Sequence, residues 1–157
     1  MNQIHTILPK WVMDHLIELL EVVYADRVYI YALVSSELAK KQGAPAVFTI
    51  MKGGVIAISD TYPEKWRNLG LIHEIMDSNG RLHAHSCVES LKTELEMAEY
   101  FRFDMEAYTA FRLKFFTDLI AFYKKSPDFE GRSGLIHRLE HSKRHLENLE
   151  VLQLQPA

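Results

Sequence analysis

The chain has 157 residues and a formal net charge of -3, and hydrophobic residues make up 48% of it. This length and composition are typical of one ordinary globular domain, and the single cysteine excludes an internal disulfide and a zinc finger of the usual type. The weak negative charge argues against a basic nucleic-acid-binding protein, and no apolar run approaches the roughly 18 residues of a membrane span. We therefore predict a cytoplasmic protein without a membrane segment.

The first predicted element runs from about Leu8 to Gln42, where apolar residues recur at spacings of three and four that fit a helix. Gly43 suits the position just past a helix end. Nearly every position from Val22 to Val34 is apolar, which predicts a helix covered on most sides. Asp26 and Arg27 interrupt this run, and we expect them to lie on its one polar stripe or to bond to neighbours in other helices.

The second element, Ala44 to Asp60, allows two interpretations. Its apolar residues step by four, four and three, which favours a helix: Val47, Met51, Val55 and Ile58. Gly53 and Gly54 disfavour a helix by roughly 1 kcal/mol each relative to alanine. A hairpin with its turn at Lys52-Gly53-Gly54 is the alternative, and the helix is preferred because the flanking elements are predicted to be helical.

Three further helices are expected. The third element begins at Thr61-Tyr62-Pro63-Glu64, a good helix start, and stops at Asn79-Gly80. The fourth runs from about Arg81 to Lys125 without glycine or proline. The fifth follows Ser126-Pro127-Asp128 and is periodic from Ser133, with a seam of leucines at 135, 139, 146 and 149. Residues 153–157 are expected to be a frayed tail.

These elements predict an all-α fold, an up-and-down bundle of four to five helices, two of them long, in a single domain over residues 1–157. Helices longer than about 30 residues exceed what a compact bundle of this size accommodates. Either they kink, or their ends pair with a second copy, so we predict a homodimer.

Two groups of histidines are candidate metal ligands. His137, His141 and His145 are spaced by four and share one helix face, but the helical wheel places them on the polar face, away from the leucine seam. His83 and His85 form the second group, beside Cys87. A zinc site there would need two further ligands, so a buried thiol near a hydrogen-bonded histidine is preferred.

The segment Arg67-Asn68-Leu69-Gly70-Leu71-Ile72-His73 resembles the motif of the HEPN group of small helical domains. That motif has an arginine, a polar residue such as asparagine, and a histidine four to six residues after the arginine. The resemblance implies a metal-independent ribonuclease centre between two subunits, with Arg67, Asn68 and His73 as its catalytic residues. His73 would act as general acid or base, and Arg67 would stabilise phosphate charge. A buried structural histidine is the alternative interpretation.

Nine of the 17 aromatic residues lie between Tyr100 and Tyr123. They run round more than one helix face, which indicates a core helix, with a subunit interface or a ligand pocket as alternatives. No phosphate-binding glycine loop or nucleophile elbow is present. We therefore predict a non-enzymatic interaction or regulatory module that self-associates, binds no cofactor and has a possible protein partner. A HEPN-like ribonuclease acting on RNA and a metal- or small-ligand-binding bundle are the alternatives.

Overall fold

The computed structural model describes residues 10–47, 49–52, 55–79 and 86–154. The chain divides into two compact units, Met1–Asn79 and Gly80–Ala157. The described part of the first unit is built around a four-stranded mixed sheet, whereas that of the second consists of helices and loops. The prediction of an all-α helical bundle is therefore wrong, and the fold is mixed α/β. That the chain forms a single domain stays a prediction.

The first unit carries all the strands of the described chain. Neighbouring strands in the sheet follow the order β1-β2-β4-β3, with β1–β2 and β3–β4 antiparallel and β2–β4 parallel. In chain order the elements are α1 (Lys10–Met13), β1 (Leu16–Tyr24), β2 (Arg27–Val34), α2 (Glu37–Gln42), β3 (Thr49–Lys52), β4 (Val55–Ser59) and, after a 3-10 turn at Glu64–Trp66, α3 (Arg67–Asn79).

The predicted long helix from Leu8 to Gln42 is the largest error. Most of its described residues form the hairpin of β1 and β2, and among them only α1 and α2 are helical. The segment is rich in valine, isoleucine and tyrosine, which favour strands, and a continuous apolar run fits a buried strand as well as a helix. Asp26 belongs to the hairpin turn rather than to a polar stripe. Gly43 does cap a helix, because it adopts a left-handed φ of 68° at the end of α2.

The second element is a hairpin, so the preferred helix was wrong and the alternative is confirmed. β3 and β4 pair antiparallel, with Lys52 opposite Val55. The two glycines between them lie outside the described residues. All five residues of β4 are buried, which explains why their spacing did not show the alternation expected of a half-exposed strand.

Both faces of the sheet are covered at β4, where all five residues are buried. On one face α1 contributes Val12 to a core cluster that includes Ala32 and Ala57. α3 lies on the other face, where the Thr49 hydroxyl donates a hydrogen bond to Glu74 of that helix over 2.7 Å. Register places Thr49 on the same face as Ile58, which is fully buried.

The third predicted element, which begins at Thr61 and stops at Asn79-Gly80, is confirmed as helical. The 3-10 turn and α3 both lie within its bounds.

The second unit contains α4 (Ser86–Tyr100), α5 (Met105–Lys125) and α6 (Arg132–Leu154). The prediction of one long helix from Arg81 to Lys125 is wrong because the chain turns after Tyr100. Arg102 adopts a left-handed φ of 60°, and the Phe103 amide donates to the Ala98 carbonyl over 3.0 Å. This is a Schellman motif, and the Asp104 carboxylate then caps α5 by accepting from the Ala107 amide.

The fifth predicted helix agrees with α6. Leu139 and Leu146, two members of the leucine seam, are buried. α6 continues to Leu154, two residues into the tail expected to fray, and residues 155–157 lie outside the described residues.

Candidate functional site

The three residues of the HEPN-like motif differ in their exposure to solvent. His73 is 3% exposed on α3, and its Nε2 lies 3.2 Å from Oδ2 of Asp77, one helical turn later. Asn68 is exposed, and Arg67, the first residue of α3, is half-buried. The buried Nε of Arg67 has no hydrogen-bond partner among the described residues. The ribonuclease centre stays a prediction, and the geometry gives His73 a packing role beside Asp77.

The histidine ladder lies on α6. His137 and His141 are exposed, as the wheel predicted, and His145 is half-buried. Burial is the main cause that lowers the pKa of His145, with smaller contributions from the positive charges of Lys92 and His141, while Glu89 opposes the shift. No three histidine, cysteine, aspartate or glutamate side chains among the described residues could hold one metal ion. His83 and His85 lie outside those residues.

A buried cluster of ionisable side chains, which the sequence reasoning missed, joins α4 to α5. Glu94 is fully buried and Arg112 is 2% exposed. The Arg112 Nε lies 2.8 Å from Glu94 Oε2, and its Nη2 donates to Oε1 over 3.2 Å. The Tyr108 hydroxyl donates a short hydrogen bond to Oε2 of the same carboxylate. We call these three residues the buried ion-pair cluster.

Aromatic rings complete this cluster. The guanidinium carbon of Arg112 lies 4.6 Å from the ring centre of Phe115 and 4.7 Å from that of Phe116. An arginine stacked on rings and paired with a carboxylate satisfies its charge without water. A group enclosed in this way is not open to a substrate, so the cluster stabilises the packing of α4 against α5. A helical wheel of α4 could have indicated that Glu94 is unusual, because this acid lies outside the solvated face that carries Lys92, Glu96 and Glu99.

The β1–β2 hairpin presents apolar side chains to solvent. Ala25 and Asp26 form its two-residue turn with φ angles of 51° and 62°, the type I′ combination that matches strand twist. Val23 and Val28 lie directly opposite each other beside the turn and are 68% and 60% exposed. Ile17, near the start of β1, is 53% exposed. Exposed apolar residues grouped on one element commonly mark an interaction surface.

Within the described part of the chain, the outer edge of β1 adds backbone groups without a strand partner to this surface. Among the described strands, β1 has a neighbour on one side only, and it is nine residues long. In a two-residue hairpin the flanking residues, Tyr24 and Arg27, form a hydrogen-bonded pair, and the two kinds of pair then alternate. Leu19, Glu21 and Val23 therefore lie at non-hydrogen-bonded positions relative to β2, and their N–H and C=O groups point to the open edge.

Comparisons with known proteins give no family assignment. No protein-family model, no curated protein and no solved structure matches the chain. None of the helices in the described residues has the length and apolar character needed to cross a bilayer. The surfaces described above are therefore the basis for any inference about function.

Proposed function

We propose that the protein is a non-enzymatic interaction module that self-associates by pairing β1 with β1 of a second copy. The proposal rests on this nine-residue strand, which has no neighbour on its outer side among the strands that the structure describes. An unpaired strand edge is a template for further pairing unless it is short, covered or strongly charged. A two-fold axis brings identical strands together antiparallel, so the same edge serves both copies.

The charges on β1 favour one register of this pairing. Residues whose backbone N–H and C=O groups point to the outer edge must pair with residues of the same kind in the second copy. Only a few registers of the two strands meet this condition. Setting Glu21 opposite Glu21 would place like charges directly across the ladder, which is destabilising. Of the two neighbouring registers, the one that sets Glu21 opposite Leu19 of the second copy overlaps all nine strand residues, whereas Glu21 opposite Val23 overlaps only five. The longer overlap places Leu20 on the two-fold axis. In this arrangement the Glu21 amide donates a hydrogen bond to the second copy, and the symmetric bond forms as well.

A matched pair of variants at Glu21 tests the proposal. Glu21→Pro removes the outward N–H, and proline is tolerated in an edge strand where its nitrogen faces solvent. Glu21→Thr removes the same charge but keeps the N–H and suits a strand. Losing two hydrogen bonds of about 1 kcal/mol each weakens the dimer about 30-fold. Light scattering after size-exclusion chromatography should therefore find dimers of wild type and Glu21→Thr at a concentration where Glu21→Pro is monomeric.

Circular dichroism shows whether Glu21→Pro has kept its fold. If it has not, Val23→Ser serves instead, because it retains every backbone donor and removes an exposed apolar side chain from the same strand. We expect this variant to weaken the dimer about tenfold or more. A wild type that is monomeric at all accessible concentrations, or a dimer unaffected by both substitutions, contradicts the proposal.

A further inference from the structure

The end of α4 and the loop that follows it expose a second group of apolar side chains. Tyr100 is 81% exposed and Phe101 is 56% exposed, whereas Phe103 is half-buried. The Tyr100 and Phe101 rings are nearly perpendicular, at 82° with centres 5.3 Å apart, and the Phe101 and Phe103 rings are 6.3 Å apart. We call these three residues the aromatic tip. The rings do not stack face to face, and two of them are more than half exposed, so their faces are accessible to a ligand.

The backbone holds the aromatic tip in place. The Schellman motif ends α4 at the tip, with the Arg102 amide donating to the Glu99 carbonyl over 3.0 Å. Asp104 then caps α5 directly after Phe103. A non-glycine residue at the left-handed position of Arg102 costs about 1–2 kcal/mol, so the surrounding hydrogen bonds must fix this conformation. Side chains that are already ordered lose little entropy on binding.

Four carboxylates lie close to the aromatic tip in the chain. Glu96 precedes Tyr100 by one helical turn and therefore shares its face of α4. Glu99, Asp104 and Glu106 are close in the chain, and all four acids are exposed. Arg102 is the one basic residue in the segment from 96 to 106. The local charge is therefore negative, and the open ring faces add negative electrostatic potential of their own.

We propose that the aromatic tip binds a basic segment of another protein, with arginine or lysine side chains placed over the Tyr100 and Phe101 rings. Charge complementarity selects this occupant, because the acids attract a cation and cation–π contact adds to the attraction. The same acids repel nucleic acid and anionic lipid. A symmetric contact between two tips would set carboxylates against carboxylates, which disfavours a second copy. The proposal does not depend on pairing through β1.

A short fluorescein-labelled peptide in which arginine alternates with glycine is the probe for this surface. Fluorescence anisotropy should show saturable binding to the full-length protein that weakens as salt is added. An otherwise identical peptide with glutamate in place of arginine should not bind. The double variant Tyr100→Ser/Phe101→Ser should lose about 5- to 30-fold in affinity, since two exposed cation–π contacts are removed. Glu96→Gln/Glu99→Gln should reduce both the affinity and its salt dependence.

Phe129 provides the matched control for the double variant. It is a 44% exposed phenylalanine in the same unit, between Asp128 and Glu130, but it is not part of the aromatic tip. Phe129→Ser should keep the affinity of the wild type. The proposal is overturned if the arginine peptide does not bind, or if Phe129→Ser weakens binding as much as the double variant does. It is also overturned if the double variant loses a dimer formed by the wild type, or if the tip binds oligonucleotides or anionic vesicles instead.

Discussion

Replacing Arg112 by methionine should destabilise the second unit severely. The guanidinium makes two contacts of 2.8 and 3.2 Å with the Glu94 carboxylate and lies against Phe115 and Phe116. Methionine fills much of the same space but removes the positive charge that pairs with the fully buried Glu94 carboxylate. Breaking a buried ion pair in this way costs about 3–5 kcal/mol. A typical domain is stable by about 5–15 kcal/mol, so this loss is a large share of its stability.

The double variant Glu94→Gln/Arg112→Met distinguishes the cost of the buried carboxylate charge from the cost of the lost Arg112 contacts. Glutamine removes the uncompensated charge and keeps an oxygen that accepts a hydrogen bond from Tyr108. Because the charge is the main penalty, the double variant should be more stable than Arg112→Met by about 2 kcal/mol or more. Urea unfolding of the full chain, followed by circular dichroism for wild type, both single variants and the double variant, measures this coupling.

Two results would refute the account of the buried ion-pair cluster. One is a loss below about 1 kcal/mol for Arg112→Met, a value that fits an exposed ion pair rather than a buried one. The other is strict additivity, in which the double variant loses the sum of the two single losses. Additivity would mean that Glu94 and Arg112 do not act on each other.

Four further substitutions have defined outcomes. Gly70→Ala should lower Tm, because a Cβ there would lie 2.6 Å from the hydroxyl oxygen of the buried Tyr62; an unchanged Tm would contradict this close approach. Asp104→Ala should cost about 1 kcal/mol of unfolding free energy through the lost helix cap, measured by urea titration. Burial is the main reason that the pKa of His145 in the folded protein lies below its ordinary value of 6.5. The contribution of His145 to stability is therefore complete above pH 6.5, and it is lost as the pH falls from 6.5 towards the folded pKa. His145→Gln should therefore flatten the pH dependence of unfolding in that window, and an unchanged profile would count against it. His73→Ala should destabilise the fold by about 2 kcal/mol, whereas a ribonuclease role would appear as lost RNA cleavage by a fully folded variant.

The sequence was informative where proline and glycine mark the ends of an element. α3 and α6 were predicted close to their observed bounds, because Pro63 and Gly80 flank the first and Pro127 precedes the second. The β1–β2 hairpin was missed because its apolar run has no clear period, and both a covered helix and a covered strand produce that pattern. Its turn residues, Ala25 and Asp26, lack the glycine that usually indicates a type I′ turn.

The break between α4 and α5 was not predicted, for a similar reason. Arg102 occupies the left-handed position that glycine usually fills at a helix end, so no glycine indicated the turn. Asp104 was the one local indication, since aspartate is a preferred helix cap. The buried ion-pair cluster could not be predicted in full, because Glu94 and Arg112 are 18 residues apart and meet only once both helices have packed.

Amide hydrogen exchange in β1, followed by NMR, distinguishes pairing through this strand from every other mode of self-association. Leu20 and Val22 lie at positions that bond to β2, so their amides should be protected in any folded form. Leu19, Glu21 and Val23 direct their amides to the open edge. If β1 pairs with β1 of a second copy, these three amides become protected as protein concentration rises into the range of the dimer, and they lose protection on dilution. Rapid exchange at all three in a sample shown to be dimeric would contradict pairing through β1.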